Sequence, residues 1–162
     1  MAKKVVYPGS FDPITLGHVD LIERLCRTFD EVVILIAQSA QKENLFTVEE
    51  KKELITKSLS RCRNFKIDSH SGLTVDYLKK NNISLIARGL RAVVDYEYEL
   101  TMANINKKLD PNIETLLIFA SPEYYFISSR GVKEVARNKG SLEGLVPQVV
   151  IEPLMKKLGT FA

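Results

Sequence analysis

The sequence lacks several features that mark common classes of protein. Its 162 residues include two cysteines, Cys26 and Cys62, and their spacing does not match a metal site. No apolar run approaches the roughly 18 residues that a membrane-spanning helix needs. Pro8 interrupts the apolar stretch near the N-terminus, so we expect no signal peptide, no membrane partner and a cytoplasmic location. Repeats and linkers are also missing, which predicts a single domain over residues 1–162.

Motifs of several well-known catalytic sites are absent as well. There is no G-x-x-x-x-G-K-[ST] phosphate loop and no G-x-G-x-x-G dinucleotide fingerprint. No G-x-S-x-G elbow marks a serine hydrolase, and no Cys/His cluster indicates zinc. The net charge of +3 is mild and spread along the chain, which argues against nucleic acid as a partner. This charge is compatible with a pocket that attracts a phosphorylated substrate.

What the chain does contain is a regular alternation of short apolar runs and helical patterns. The predicted strands cover residues 3–7, 31–37, 65–67, 85–87 and 116–119. Helices are predicted to begin at Gly17-His18, at a capping box of Thr47 and Glu50, at Thr74 as a cap, at residue 93 and at Ser128-Ser129. From Pro147 onward we expect one or two short helices, with an interruption at Pro153.

This alternation predicts an α/β fold with a doubly wound, Rossmann-like sheet of five parallel strands and helices on both faces. Right-handed crossovers favour the strand order 3-2-1-4-5. The run 31–37 is apolar almost throughout, which is typical of a strand that is buried on both faces. In this order strands one and four are neighbours at the switch point, where ligands bind beyond the carboxyl ends of the strands.

Groups that suit a phosphate follow four of the predicted strands. His18 lies at a helix start after strand one, and Lys42 follows strand two. Arg88 and Arg91 follow strand four, and Ser128-Ser129 follows strand five. The carboxyl ends of parallel strands meet at one edge of a sheet, so we expect these four segments to converge there. A helix N-terminus and arginine side chains are both good phosphate ligands.

Each of these residues also has a simpler interpretation. A lone histidine such as His18 can be an exposed helix residue, and the two arginines can be surface residues. Lys42 in a loop is ordinarily solvated, and Ser128-Ser129 can be only a helix cap. His70 lies in a polar stretch that we interpret as a loop without a role. The expected convergence favours function, and a site with many phosphate ligands and few nucleophiles can stabilise charge without a covalent intermediate.

Several blocks of sequence carry a resemblance to a known family. Residues 8–18, P-G-S-F-D-P-I-T-L-G-H, resemble the signature of nucleotidyltransferases with a T/H-x-G-H motif. The chain also contains R-G-L-R at 88–91, three spaced acids at 95–99, F-I-S-S at 126–129 and V-K-E-V-A at 132–136. Taken together, these blocks resemble the bacterial phosphopantetheine adenylyltransferases over nearly the whole length.

The resemblance implies an activity and its partners. It implies reversible transfer of an adenylyl group from ATP to 4′-phosphopantetheine, giving dephospho-coenzyme A and pyrophosphate in coenzyme A biosynthesis. The attack would be in line, and the acceptor phosphate needs no strong base because its second pKa is about 6. The resemblance further implies Mg²⁺ held mainly by ATP oxygens, a homohexamer, and feedback inhibition by coenzyme A.

The resemblance also assigns roles to residues. The catalytic groups it implies are His18, which would stabilise charge in the transition state, Lys42, Arg91 and Ser129. The ATP contacts it implies are Ser10, Phe11, His18, Gly89, Leu90, Arg91, Glu99, Tyr124, Tyr125, Phe126, Ile127, Ser128, Ser129 and Arg130. The acceptor contacts it implies are Ser10, Lys42, Thr74 and Arg88. Two positions depart from the family pattern: Arg130 replaces a common Ser or Thr, and Ala40-Gln41 replaces a proline-containing approach to Lys42.

Two other functions stay open at this point. A sister enzyme with a different acceptor, such as nicotinamide mononucleotide or glycerol 3-phosphate, would share the superfamily motifs. A nucleotide sensor or RNA-binding module would bind its ligand without turnover. The R-G-L-R block and the chain length argue against the first, and the lack of a dense basic or aromatic stripe argues against the second.

Overall fold

In the computed structural model of the chain, residues 3–38 and 44–160 are described. The strands are β1 Lys4–Gly9, β2 Glu31–Gln38, β3 Phe65–Ser71, β4 Leu85–Leu90 and β5 Glu114–Phe119. The helices are α1 Leu16–Thr28, α2 Val48–Ser58, α3 Thr74–Asn81, α4 Val93–Leu109, α5 Ser129–Arg137 and α6 Gln148–Lys157. None of these helices is both long and apolar enough to cross a membrane.

The five strands form one parallel sheet in the order β3-β2-β1-β4-β5, which confirms the predicted α/β topology. β1 pairs along its whole length with residues 31–36 of β2. On its other side Val6 of β1 lies opposite Ile86 of β4. The chain therefore leaves the middle of the sheet in opposite directions after β1 and β4, and the switch point lies between these strands.

Apolar side chains of β2 point alternately to the two faces of the sheet. Val32, Ile34 and Ile36 of β2 belong to a core shared with α1, α2, α5 and α6. Val33 and Leu35 belong to a smaller core shared with α3. Burial on both faces explains the nearly continuous apolar run of β2, as expected for a parallel sheet that helices cover on both sides.

Two local predictions were wrong at the end of β3. β3 continues to Ser71, so His70 lies in a strand and not in a loop. Residues 65–71 pair in register with residues 32–38 of β2, and this backbone ladder overrides the polar composition. Thr74 does not cap α3, because the N-cap is Leu73, which makes no side-chain cap bond, and Thr74 is the first helical residue.

The predicted interruption of α6 was also wrong. α6 continues through Pro153, although proline removes the N–H that would donate to the Val149 carbonyl. Val150 and Leu154 on either side of Pro153 are completely buried in the core. Their burial contributes roughly 1.5–3 kcal/mol each, which offsets the cost of about 3 kcal/mol for an interior proline. Pro147, in contrast, is the N-cap, where a missing N–H leaves no helical bond unmade, and its carbonyl accepts the Val150 N–H at 2.9 Å.

Replacing Pro153 by Ala should raise the stability of the protein, because the new N–H can donate to the Val149 carbonyl. We expect the free energy of unfolding to increase by about 1–2 kcal/mol, since proline also restricts the unfolded chain and part of the gain is cancelled. The matched control is Pro147→Ala, which gains no helical bond and should leave stability unchanged or slightly lower. Urea denaturation of both variants measures the difference, and a loss of stability in Pro153→Ala would contradict this explanation.

Candidate active site

A cavity of about 370 Å³ opens beyond the carboxyl ends of β1 and β4. Its wall is formed by the β1–α1 loop, the end of β4, α4 and the segment that leads into α5. The predicted site residues that line it are Ser10, His18, Arg88, Gly89, Arg91, Glu99, Tyr124, Ile127, Ser128 and Ser129. Three of the four predicted phosphate-binding segments thus meet at this cavity. The fourth, which carries Lys42, lies outside the described residues.

Other predicted site residues are not part of the cavity wall. These residues are Phe11, Leu90, Thr74, Tyr125, Phe126 and Arg130. Phe11 is buried and packs its ring against His18, so it supports the wall from behind. Tyr125 and Phe126 are exposed by 55% and 63%, and they contact each other edge to face. Thr74 lies at the start of α3, which follows β3 at the far edge of the sheet.

Thr15 and His18 fix each other at the start of α1 by a reciprocal cap. Thr15 is the N-cap, and its Oγ1 accepts the His18 N–H at 3.4 Å. The Thr15 backbone N–H donates to Nδ1 of His18 at 3.0 Å. A backbone N–H can only donate, so Nδ1 is an acceptor and the proton of the neutral ring lies on Nε2. The Nε2–H is therefore the group with which this side chain can donate to a ligand in the cavity.

The imidazole of His18 is neutral at physiological pH. Burial lowers the pKa of His18 to about 4, with the positive charges of Arg91 and Arg88 acting in the same direction. A charged ring would have to leave water and also approach two guanidinium groups. An anion bound among these three groups would have the opposite effect on the pKa. His18 is thus built as a neutral hydrogen-bond donor beside two fixed cations.

The N-terminus of α1 offers fewer free N–H groups than the sequence suggested. The Leu16 N–H donates to the Leu145 carbonyl at 3.0 Å, and the His18 N–H is used by Thr15. Gly17 lies between them and lines the cavity. In the first turn of α1 the N–H of Gly17 is therefore the backbone group best placed for an anion.

Three hydrogen bonds to two partners hold the side chain of Arg88 in place. Its Nε and Nη2 donate to the two oxygens of Glu99 at 2.7 and 2.6 Å, and its Nη1 donates to the Pro8 carbonyl at 2.7 Å. Glu99 is buried, and this bidentate pair compensates its charge. A guanidinium has five N–H donors, and residues 3–38 and 44–160 engage three of those on Arg88, so within this part of the chain two are left for a ligand.

Arg91 is oriented by the first turn of α4. Its backbone N–H, Nε and Nη2 donate to the carboxylate of Asp95 at 3.0, 3.1 and 3.2 Å. Its Nη1 lies 3.4 Å from the Ile127 carbonyl, which links the end of β4 to the segment before α5. Arg91 therefore presents a fixed positive charge to the same cavity as His18.

The N-terminus of α5 forms the opposite wall. Ser128 is the N-cap, and its Oγ accepts the Gly131 N–H at 3.0 Å. Ser129 donates its hydroxyl to the Pro13 carbonyl at 2.8 Å, which fastens α5 to the β1–α1 loop. The first N–H groups of a helix have no intrahelical partner, so this end can bind a phosphate.

Tyr7 is a cavity residue that the sequence analysis missed. It is 6% exposed and lines the cavity next to Arg88 and Gly89. Burial raises the pKa of Tyr7 to about 12, so its hydroxyl keeps the proton and can donate. The signal was present in the alternation of β1, which places Val5 and Tyr7 on the same face. A Cβ at Gly89 would lie 2.5 Å from Cδ1 of Leu21 in α1, so a larger residue there would force the Leu21 side chain to move.

The described residues contain no cluster of three or more His, Cys, Asp or Glu side chains that could hold a metal ion. Asp95 and Glu99 are the carboxylates that line the cavity, and each is engaged by an arginine. A metal ion in this cavity would therefore take most of its oxygen ligands from a bound phosphate compound.

Comparisons with known proteins agree with this architecture. The family model described as cytidylyltransferase-like matches residues 6–135. A phosphopantetheine adenylyltransferase of Bdellovibrio bacteriovorus is 61% identical over 158 residues, which cover 98% of this chain and 99% of that protein. A phosphopantetheine adenylyltransferase of Dictyoglomus thermophilum is 48% identical over 156 residues, covering 96% and 95% of the two chains.

Solved structures with the same fold are more distant in sequence. The nicotinic acid mononucleotide adenylyltransferase of Plasmodium falciparum complexed with APC has a TM-score of 0.72 at 15% identity, with 96% of each chain covered. A Vibrio parahaemolyticus protein described as a nicotinate-nucleotide adenylyltransferase has a TM-score of 0.73 at 15% identity, with 100% and 98% covered. At this identity the likeness shows the fold alone. The family match and the near-complete alignments show that the chain belongs to the cytidylyltransferase-like family and, within it, to the phosphopantetheine adenylyltransferases.

Proposed function

We propose that the protein reversibly transfers an adenylyl group from ATP to 4′-phosphopantetheine, giving dephospho-coenzyme A and pyrophosphate in coenzyme A biosynthesis. One observation carries this proposal. A neutral imidazole, two anchored guanidinium groups and a helix N-terminus surround a single cavity at the switch point of the sheet. The name and near-complete coverage of the 61% identical relative support the acceptor.

The geometry supports in-line attack without a covalent enzyme intermediate. The nucleophile is a phosphate oxygen of the acceptor, which is already anionic near neutral pH. The Nε2–H of His18 stabilises the charge that develops on the α-phosphate of ATP. Arg91 and the α5 N-terminus with Ser129 hold the remaining phosphates, and Arg88 together with Lys42 holds the acceptor phosphate. These groups supply position and charge, which is most of what phosphoryl-type transfer requires.

The other contacts implied by the family belong to the same proposal. Ser10 lies between the two substrates, and Phe11 acts by supporting His18. We assign contacts with ATP to Gly89, Leu90 and residues 124–130. Glu99 acts mainly through Arg88, which it binds with both oxygens. Thr74 serves the far end of the acceptor, since α3 lies away from the cavity.

Mg²⁺ is proposed as an ion that enters with ATP. The donor set fits this role, because the cavity carboxylates Asp95 and Glu99 are already bound to arginines and phosphate oxygens are hard ligands of the kind Mg²⁺ prefers. Bound there, the ion would neutralise part of the polyphosphate charge.

We also propose a cytoplasmic location and feedback inhibition by coenzyme A. Coenzyme A contains the 4′-phosphopantetheine group of the acceptor and would compete for the same cavity.

We further propose that the protein assembles as a homohexamer. Large apolar side chains of α4 and β5 support self-association. Val93, Tyr98 and Ile105 of α4 are exposed by 78%, 63% and 45%, and Phe119 of β5 by 75%. Because α4 and β5 are in contact with each other, these side chains lie on neighbouring elements, and grouped apolar side chains on a surface are typical of an interface between proteins.

Sedimentation equilibrium should therefore give the mass of six chains of 18.3 kDa. Ile105→Asp should shift the mass downward, because a charge buried in an interface without a partner is costly. Val149→Asp on α6, an exposed apolar residue outside α4 and β5, is the matched control and should keep the mass. A monomeric wild-type protein would disprove the assembly.

The activity itself is tested by incubating the protein with ATP, Mg²⁺ and 4′-phosphopantetheine and detecting dephospho-coenzyme A by mass spectrometry. His18→Ala should lower kcat by about 10²–10³, as for the loss of one aimed hydrogen-bond donor. The other histidine of the chain provides the control, since His70→Ala should leave kcat unchanged. Preferential use of nicotinamide mononucleotide or glycerol 3-phosphate as acceptor would refute the proposed function, and an unchanged kcat in His18→Ala would remove His18 from the mechanism.

The protonation state of His18 gives a separate pH prediction. In the free protein its imidazole should titrate near pH 4, with the proton on Nε2 above that pH. Because the ring binds a proton near pH 6.5 when unfolded, stability should fall as the pH decreases from 6.5 toward 4. Nitrogen-15 NMR of labelled histidine measures the midpoint, and His70→Ala identifies the signal. Pyrophosphate should raise the midpoint, whereas a midpoint near 6.5 in the free protein would contradict the geometry.

A further inference from the structure

We propose that Asp12, Lys51 and Lys133 act as positioning residues for the proposed adenylyl transfer, by holding residues 44–46 and α5 in place against the loop that carries His18. We call these three residues the Asp12 cluster. None of them lines the cavity. Their role therefore differs from that of the substrate contacts above, although it rests on the proposed function.

Asp12 is a buried carboxylate that accepts three hydrogen bonds and forms an ion pair with a second lysine. Its Oδ1 accepts the Phe46 N–H at 2.9 Å, and its Oδ2 accepts the Leu45 N–H at 3.0 Å. Nζ of Lys133 donates a hydrogen bond to the same Oδ2 at 3.0 Å, and Nζ of Lys51 lies 3.7 Å from Oδ1. Burial alone would raise the pKa of Asp12, but these hydrogen bonds and charges outweigh it and hold the pKa below its ordinary value.

Lys51 adds a third hydrogen bond to residues 44–46. It is 2% exposed, and its Nζ donates to Oδ1 of Asn44 at 2.8 Å. Asn44, Leu45 and Phe46 are thus held by the Asp12–Lys51 pair through one side chain and two backbone N–H groups. Lys42 precedes Asn44 by two residues in the chain. The cluster therefore fixes residues 44–46, which follow the proposed acceptor contact Lys42 in the sequence.

Lys133 connects the cluster to the ATP side of the cavity. It lies on α5, one turn after Ser129, and reaches Asp12. Ser129 reaches the neighbouring Pro13 carbonyl, so α5 touches two consecutive residues of the β1–α1 loop. The residue before Asp12 is Phe11, whose ring packs 5.1 Å from that of His18. The Asp12 carboxylate thus contacts residues 44–46 on the proposed acceptor side and α5 on the proposed ATP side. It also follows Phe11, which packs against the imidazole of His18.

The alternative is a cluster that serves stability alone. Buried ion pairs often add little net stability, because the cost of removing charges from water cancels most of their attraction. Replacing Lys51 by Met keeps the length and burial of the side chain and removes one charge. Removing one partner of a buried pair is costly when the other charge is left alone, but in Lys51→Met the Asp12 carboxylate keeps Lys133 and two backbone N–H donors. We therefore expect the variant to fold, and its kinetics then distinguish a positioning role from a structural one.

We expect Lys51→Met to raise the KM for 4′-phosphopantetheine roughly tenfold, equivalent to the loss of one charge-assisted hydrogen bond, and to leave the KM for ATP within about twofold. Lys57→Met is the matched control. Lys57 lies on the same helix and pairs with Glu53 in solvent, so its loss should change neither KM. Initial-rate kinetics with each substrate varied in turn provide these values.

Lys133→Met should show the opposite preference. Here the KM for ATP should rise, because α5, which carries Ser129, loses the contact of Lys133 with Asp12 in the β1–α1 loop. Lys133→Arg keeps the charge and should restore the KM. Arg137→Met on the same helix removes an exposed pair with Glu134 and serves as the control that changes nothing.

Hydrogen–deuterium exchange tests the same proposal without any turnover. The amides of Leu45 and Phe46 should exchange faster in Lys51→Met than in Lys57→Met. Unchanged exchange there, or KM values that stay constant while only the thermal stability falls, would overturn the positioning role. A wild-type protein that forms no dephospho-coenzyme A would instead refute the proposed function, and the exchange experiment would still show whether Lys51 holds residues 44–46.

Discussion

The functional architecture depends on the parallel pairing of β1 with β4 in the middle of the sheet. This pairing places Val6 opposite Ile86, and it brings the β1–α1 loop beside residues that lie about 80 positions later in the chain. The hydrogen bond from Arg88 to the Pro8 carbonyl is a direct consequence. Without these neighbouring strands, His18 and the arginines would not share a cavity. The site is therefore a product of topology before it is a product of any one motif.

The second feature of the candidate site is that its charged side chains are balanced by opposite charges within the protein. Arg88 is balanced by Glu99 and Arg91 by Asp95, while His18 stays neutral beside them. The arginines are thus oriented before any ligand arrives, and little reorganisation is needed when charge develops. Asp12 uses the same principle with the opposite sign, since one buried carboxylate is surrounded by two lysines and two backbone donors. Fixed charges of this kind explain how loops can hold side chains at defined positions.

Much of the fold could be predicted from local patterns. The strand order followed from the alternation of elements, and the capping box of Thr47 and Glu50 is present as expected. The errors arose where long-range contacts outweighed local preference. Burial of Val150 and Leu154 carries α6 through Pro153, and pairing with β2 extends β3 across His70. The candidate site was predicted less completely. The alternation of β1 places Tyr7 on one face but does not show that it borders a cavity, and the motifs that contain Asp12 and Lys133 do not show that these residues meet Lys51.

By itself, the sequence determined the type and order of the elements and indicated which segments carry side chains suited to a phosphate. These properties depend on periodicity, caps and motifs within a few residues of each other, which are visible in a linear chain. Only the tertiary structure decided the tautomer and pKa of His18, the pairing of Arg88 with Glu99, and the contacts of Lys133 and Ser129 with residues 121 and 116 positions away. The physical reason is that burial and charge compensation depend on distances in space, which neighbouring residues in the sequence do not specify.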